Sequence, residues 1–322
     1  MTDSPSFVVF AHVYYPETWV EIVRDLELLV TQSYGLVLTR PVGSLPLLRP
    51  QSPHLRFVAE IEVENRGRDI LPFLRAIGSK DVPAFEIGLK IHTKRSLHRR
   101  DGETWRRFLI GSLLQSETDG RLSGYRLLES EPRIGLVAPK AHLLPLGGRL
   151  ALNDKLMMRT FRHLEDIRTS RGAKQVEHST FITQLESGRF PAGSMFWFRH
   201  SAFRNVIGAD LASTFTRERG QLDGTAAHAF ERMFALIVEQ EGFAAAGMES
   251  VHPIIDHNGA PLSLSELRRL IDESLAHENP FLLPLSDFWR RHPNLLKLAH
   301  RIYTSLPQSS LRLLRKSMGR GW

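Results

Sequence analysis

Not one of the 322 residues is cysteine. Disulfides, thiolate nucleophiles and cysteine-ligated metals are thereby excluded, and a cytoplasmic address is the expectation. Long apolar runs are missing too: none approaches the roughly 20 residues that span a bilayer. The opening "MTDSPSFVVFAHVYYP" has no basic leader before its short apolar run, so no secretion signal is expected. Fourteen histidines include no pair at ligand spacing beside a second cluster, which argues against zinc. Acid is missing from one region. After Asp287 there is no Asp or Glu, whereas Arg290, Arg291, Lys297, Arg301, Arg312, Arg315, Lys316 and Arg320 are all found there. Removing those eight from the 42 Lys and Arg leaves 34 basic against 35 acidic residues. The net charge of +7 therefore belongs to the tail and is no sign that the body binds nucleic acid.

What remains reads as alternating strands and helices. "SFVVFAHVYY" is a strand leading to Pro16, after which Trp19, Ile22, Val23, Leu26, Leu29 and Val30 mark one helical face. "YGLVLTRP" and "LRFVAEIEVE" are the next strands, and "ILPFLRAIG" is a short helix closed by Gly78. "FEIGLKIHTK" is a strand ending in charge, "TWRRFLIGSLL" a helix and "PRIGLVAPK" a strand. The stretch from about Leu143 to Ser187 has weaker periodicity, with a helix at "MMRTFRHLEDIRTSR" and no assigned chemistry. "RFPAGSMFWFRHSAFRNV" reads as strand, turn and helix start, and "QLDGTAAHAFERMFALIVEQEG" as loop and long helix. This alternation predicts an α/β fold: a mostly parallel sheet flanked by helices, with ligands at the carboxyl ends of the strands. Beyond "HPIIDHNGAP", short basic helices are separated by Pro280, Pro284, Pro293 and Pro307, so residues 1–255 are taken as one domain and 256–322 as a basic helical extension.

In order along the chain, "AHVYYPETW", "ENRGRDILPFL", "KIHTKRS" with "GETWRRFLIGSLL", "IGLVAP", "FPAGSMFWFR" and "GQLDGTAAHAFER" resemble the rhamnan synthesis protein F family of bacterial polysaccharide glycosyltransferases. The resemblance covers roughly residues 7 to 240. It implies transfer of a sugar, with rhamnose or another deoxyhexose expected, from a nucleotide diphosphate donor to a growing cell-surface polysaccharide or lipopolysaccharide O-antigen glycan. The donor dTDP-rhamnose is one possibility. The segments also match the general GT-A nucleotide-binding pattern. There "ENRGRDILPFLRAIG" stands for the Asn/Gly loop and helix, "LKIHTK" for the Asp-x-Asp position, "PAGSMFWFR" for the later strand and "GQLDG" for the loop with the catalytic acid.

Such a transfer must stabilise the departing diphosphate and remove the acceptor's proton. Where GT-A enzymes often carry two metal-binding aspartates, this chain has His92, Thr93, Lys94 and Arg95. Cations do not hold Mg²⁺ or Mn²⁺, but they can neutralise phosphate directly. The expectation is metal-independent stabilisation by Lys94 with His92, helped by Arg66 or Arg68, and no cofactor, with a divalent cation such as Mg²⁺ or Mn²⁺ as the open alternative. Lys94 and Arg95 also suit a solvated strand end. Gly67 allows close backbone approach, and Asn65 and Asp69 can fix the loop or bond the nucleotide. The helix from Ile70 would aim its amides at phosphate. Asp69 equally suits an N-cap, and Arg66 and Arg68 equally suit ion pairs with Glu64 or Asp69.

Asp223 in "GQLDGT" is the first choice of base, with capping of the next helix as its structural alternative. On that helix His228, Glu231 and Arg232 share one face; Glu231 is the second choice, and Arg232 suits phosphate or a pair with Glu231. His12 and Tyr14 lie at the end of the first strand, where Tyr14 can stack on the base or sit in the core. Gly193 and Ser194 are assigned to the sugar or acceptor pocket together with His228, and Met195 to Phe198 to the core.

The tail sets Leu, Ile and Met against Lys and Arg. That suits a peripheral helix on an anionic inner membrane, where a lipid-linked acceptor would grow, or a cap on the body or a partner. Nucleic acid is not an expected partner, for want of a stacking platform. Two rivals stand beside the main reading: the same fold transferring galactofuranose, and a catalytically silent nucleotide- or glycan-binding module that organises a synthesis complex.

Overall fold

The computed structural model describes residues 4–93, 101–146, 154–173, 175–217, 224–257, 261–275, 281, 288 and 292–307. Along the chain run β1 (Phe7–His12), α1 (Pro16–Leu29), β2 (Tyr34–Pro41), β3 (Leu55–Val63), α2 (Ile70–Ala76), β4 (Ile87–His92), α3 (Gly102–Leu113), α4 (Ser123–Ser130), β5 (Ile134–Ala138) and β6 (Leu143–Pro145). After them come α5 (Asp154–Ser170), α6 (His178–Ser187), β7 (Arg189–Pro191), β8 (Phe196–Arg199), α7 (Ala226–Gln240), β9 (Ala244–Gly247), α8 (Val251–Ile255), α9 (Leu264–Ser274) and α10 (Pro293–Ser305).

Seven strands form one sheet in the order β3-β2-β1-β4-β8-β5-β9. All are mutually parallel except β8, which runs against both β4 and β5. β6 and β7 make a separate small antiparallel pair. The sheet is covered on both faces. Along β1, Phe7, Val9 and Ala11 point into one core with α1, α3, α4, α8 and α9. Val8 and Phe10 point into the other, with α2, α5, α6 and α7. This is the period-2 alternation of a strand buried on both sides.

Most expected elements are present. α1 starts at Pro16 and buries Trp19, Ile22, Val23 and Leu26. Leu29, counted in its apolar face, is 40% exposed because the helix ends there, while Val30 beyond it is buried. Elements that carried too little signal include α4, α6, the short β6 and α8, and the four-residue "AAAG" strand β9. β9 has no β-branched residue, and its strand conformation is imposed by pairing with β5. Beyond residue 255, α9 contributes Leu267 and Ile271 to the same core as Trp19, so the packed body continues past the expected boundary. The described side chains of α10 are exposed or half-buried.

Candidate functional site

The chain leaves β1 for β2 and β3 on one side, then returns to place β4 on the other. A parallel sheet whose strand order reverses in this way opens a crevice outside the carboxyl ends of the two central strands, here β1 and β4. Thr93, just past β4, closes the floor. Its Oγ1 accepts the amides of Tyr14 and Tyr15 at 2.9 and 3.0 Å, so the segments after β1 and β4 are tied side by side. The Tyr14 side chain is 45% exposed and packs edge-on against Tyr15. Asn65, after β3, lies with its amide nitrogen 3.5 Å from the Tyr14 hydroxyl.

Under this rim lies a charged cluster. Lys90 on β4 is 1% exposed, with its ammonium bonded to Asp69 Oδ2 at 2.5 Å and to the Ser194 carbonyl and hydroxyl at 2.5 and 2.8 Å. The rings of Phe73, Phe196 and Phe234 lie 5.4 to 5.9 Å from the same ammonium and favour the cation further. An ammonium has three hydrogens, and this set of partners occupies them. His92 is buried beside it; its Nε2 donates to the Gly193 carbonyl at 2.9 Å and lies 3.7 Å from Asp69. Burial alone would raise the Asp69 pKa. Charge on His92 and Lys90, with hydrogen bonds from Lys90 and Ser194, outweighs burial and holds the carboxyl far below the usual carboxylate range. The His12 imidazole is pushed down to about 4, chiefly because burial penalises its charged form, while Asp69 pulls the other way. Its Nδ1 lies 2.9 Å from Thr39 Oγ1.

Two turns clasp the cluster. Gly67 and Arg68 both have left-handed backbone, at φ 68° and 53°, and so do Gly193 and Ser194, at 91° and 57°. A Cβ on Gly67 would fall 2.7 Å from Leu71 and from Phe215, so glycine is demanded there by space as well as by φ. The second turn precedes β8. Because β8 is antiparallel, its amino end meets the carboxyl end of β4, and Phe196 pairs with Lys90. α7 supports both turns: Glu231 Oε1 accepts the Gly193 amide at 2.9 Å, and Arg68 donates to His228 Nε2 at 2.9 Å. His228 Nδ1 lies 2.8 Å from Thr225 Oγ1.

The structure thus gathers His12, Tyr14, Asn65, Gly67, Arg68, Asp69, His92, Gly193, Ser194, His228 and Glu231 along one edge of the sheet. Lys94, Arg95 and Asp223 lie outside the described residues. Several expected roles change. Asp69 stands at the N-cap position of α2 but makes no capping bond, because Lys90 draws its carboxylate inward. The amides of Ile70 and Leu71 bond to the Gly67 carbonyl at 3.0 and 3.2 Å rather than pointing at a ligand. His92 faces the Gly193 turn, which is a positioning geometry and not an exposed phosphate contact. Arg66 lies 3.9 Å from Glu64, and its Nε bonds the Phe215 carbonyl at 2.8 Å, joining the loop after β3 to the segment before α7. A face made of His228, Glu231 and Arg232 is costly to bury without partners. His228 and Arg232 are buried nonetheless, with Arg68 and the turn of helix meeting them; Arg232 bonds the His228 carbonyl at 3.3 Å.

Lys90 and Thr93 were not singled out by the sequence, although the site is built on them. The available signal for Lys90 was a lone cation inside the apolar strand "IGLKIH". Among the described residues no group of three or more His, Cys, Asp or Glu could hold a metal ion. No described helix is long and apolar enough to cross a membrane.

Two proteins named uncharacterized protein WxcX, from two strains of Xanthomonas campestris pv. campestris, are each 33% identical to this chain over 260 residues. The match covers 76% of this chain and 33% of each relative, so the chain spans about a third of the length of the curated relatives it matches. The family model for rhamnan synthesis protein F matches residues 1–243, a region that holds all the strands but β9 and every element of the site just described. The chain belongs to the rhamnan synthesis protein F family.

Proposed function

We propose that this chain is a GT-A-like glycosyltransferase module. It takes a nucleotide diphosphate sugar into the crevice outside β1 and β4 and moves the sugar, rhamnose or another deoxyhexose, to a growing surface polysaccharide. Membership of a family named for rhamnan synthesis supports the substrate class. The observation that carries the reading is the Asp69–Lys90–His92–Ser194 cluster, which locks two left-handed turns against each other at the strand-order reversal. Such pre-set backbone at the carboxyl edge of an α/β sheet suits a ligand held by loops.

In this reading Tyr14 stacks on the nucleobase and Asn65 bonds the nucleoside. Arg68, with Lys94 and Arg95 beyond Thr93, receives the diphosphate. His92 and Lys90 act behind them by fixing the Gly193–Ser194 turn, which lines the sugar. The acceptor hydroxyl attacks the anomeric carbon as the bond from that carbon to the diphosphate oxygen breaks. Asp223 or Glu231 takes the hydroxyl proton, and the nucleoside diphosphate leaves with the bonding electrons. Metal independence is supported by the cations that follow β4 in the sequence and by the engagement of Asp69 with Lys90. Using Asp69 as a metal ligand would draw its carboxylate away from a buried ammonium, at a cost of about 3–5 kcal/mol.

The test is release of nucleoside diphosphate from dTDP-rhamnose, together with thermal shift by nucleoside diphosphates with and without EDTA. Stabilisation that survives EDTA is expected, as is turnover that Asp223→Asn or Glu231→Gln lowers about 100-fold or more with donor binding nearly unchanged. A strict Mn²⁺ requirement overturns the metal-free chemistry. Nucleotide binding without turnover on any glycan acceptor would favour the silent binding module.

A further inference from the structure

The last described helix is unlike the others. On α10, Leu295, Leu298 and Ile302 lie three and four residues apart and so share one face. They are 49%, 55% and 55% exposed. Arg301, three residues after Leu298, borders this stripe, and the helix has no acidic residue. From Arg290 to Arg320 the chain carries eight basic residues and no acidic one. Large aliphatic groups in water are unfavourable by roughly 25 cal/mol per Å², so a contiguous stripe of three calls for a cover.

We propose that α10 is a docking helix for an anionic lipid surface, independent of the transferase reading above. Charge decides between lipid and protein as the cover. Eight cations spread over about thirty residues suit an extended negative plane better than a local acidic groove, and each Lys or Arg near such a plane contributes on the order of 1 kcal/mol. The aliphatic face enters the boundary between headgroups and acyl chains while the cations remain among the headgroups, so the helix lies along the surface.

The experiment is co-sedimentation of the full chain with vesicles of phosphatidylcholine alone and of phosphatidylcholine with about a third phosphatidylglycerol. Binding to the anionic vesicles only, weakened by salt, is expected. Replacing the face with Leu295→Glu, Leu298→Glu and Ile302→Glu should reduce that binding at least about tenfold without moving the melting temperature of the body. Lys297→Gln with Arg301→Gln should reduce it severalfold, and this pair decides the matter if the triple variant melts early. Failure of the intact chain to sediment with anionic vesicles overturns the proposal, and so does unchanged binding by both variants. A lipid-free change in oligomeric mass in the triple variant would also overturn it, because the face would then belong to a protein contact.

Discussion

Lys90 carries a full charge in a place where charge is costly, and its partners set the penalty for replacing it. Truncating it to Met would leave the Asp69 carboxylate enclosed with its main partner gone. The expected loss is about 3–5 kcal/mol in urea denaturation, with partial recovery when Asp69→Leu is added. A loss no larger than that of an exposed Lys→Met change would show that the cluster does not hold the turns. His12 gives a different prediction. Its folded pKa of about 4 lies below the ordinary 6.5, so the unfolded chain binds more protons between those values. Stability contributed by His12 is therefore present above pH 6.5 and lost as pH falls towards 4. Melting temperatures should drop across that window, and His12→Asn should flatten the drop. Asp69 acts in the same direction but only in stronger acid, since its folded pKa is depressed below the ordinary carboxylate range. At this scale the motif residues could be found from their types and spacing, but their partners could not. Asp69 looks like a helix cap in "RDIL", and only the arrival of Lys90 from 21 residues away turns it inward.

At the scale of elements, the two left-handed turns and α7 behave as one unit. Gly67→Ala forces a Cβ against Leu71 and Phe215 at a φ of 68°, so a cost of roughly 1–3 kcal/mol is expected. Loosening of α2 should accompany it, read as faster proteolysis before Ile70. An alanine variant as stable as the parent would mean that the turn can relax without disturbing α2. Glu231→Ala removes the acceptor of the Gly193 amide and should weaken nucleotide binding as well as turnover, whereas Glu231→Gln keeps an acceptor oxygen and should spare binding. Comparing the two separates support of the turn from proton transfer. Strands of branched and aromatic residues such as β1 and β2 were legible because each buries a side chain on both faces. β9 was not, because four small residues carry no pattern and its strand conformation depends on pairing with the distant β5.

Over the whole molecule, the question is where the packed body stops. α8 and α9 bury Val251, Ile254, Leu267 and Ile271 against the core that contains Trp19. A chain ending at residue 287 should melt within a few degrees of the full one, since α10 contributes exposed and half-buried side chains. A chain ending at residue 260 should lose about 2–5 kcal/mol for each aliphatic withdrawn with α9. Calorimetry of the two truncations checks both, and equal melting would place α9 outside the cooperative unit.

By itself the sequence determined the α/β class, the order of most strands and helices, the family and the separation of a neutral body from a basic tail. These come from periodicity, local turn chemistry and charge count, which are properties of neighbours along the chain. Only the tertiary structure decided that β8 runs backwards, that Lys90 and Thr93 anchor the site, and that Asp69 and His92 face inward. Each of those facts depends on residues far apart in the chain meeting at the edge of one sheet, where burial makes an unpaired charge too costly to leave and so selects its partner.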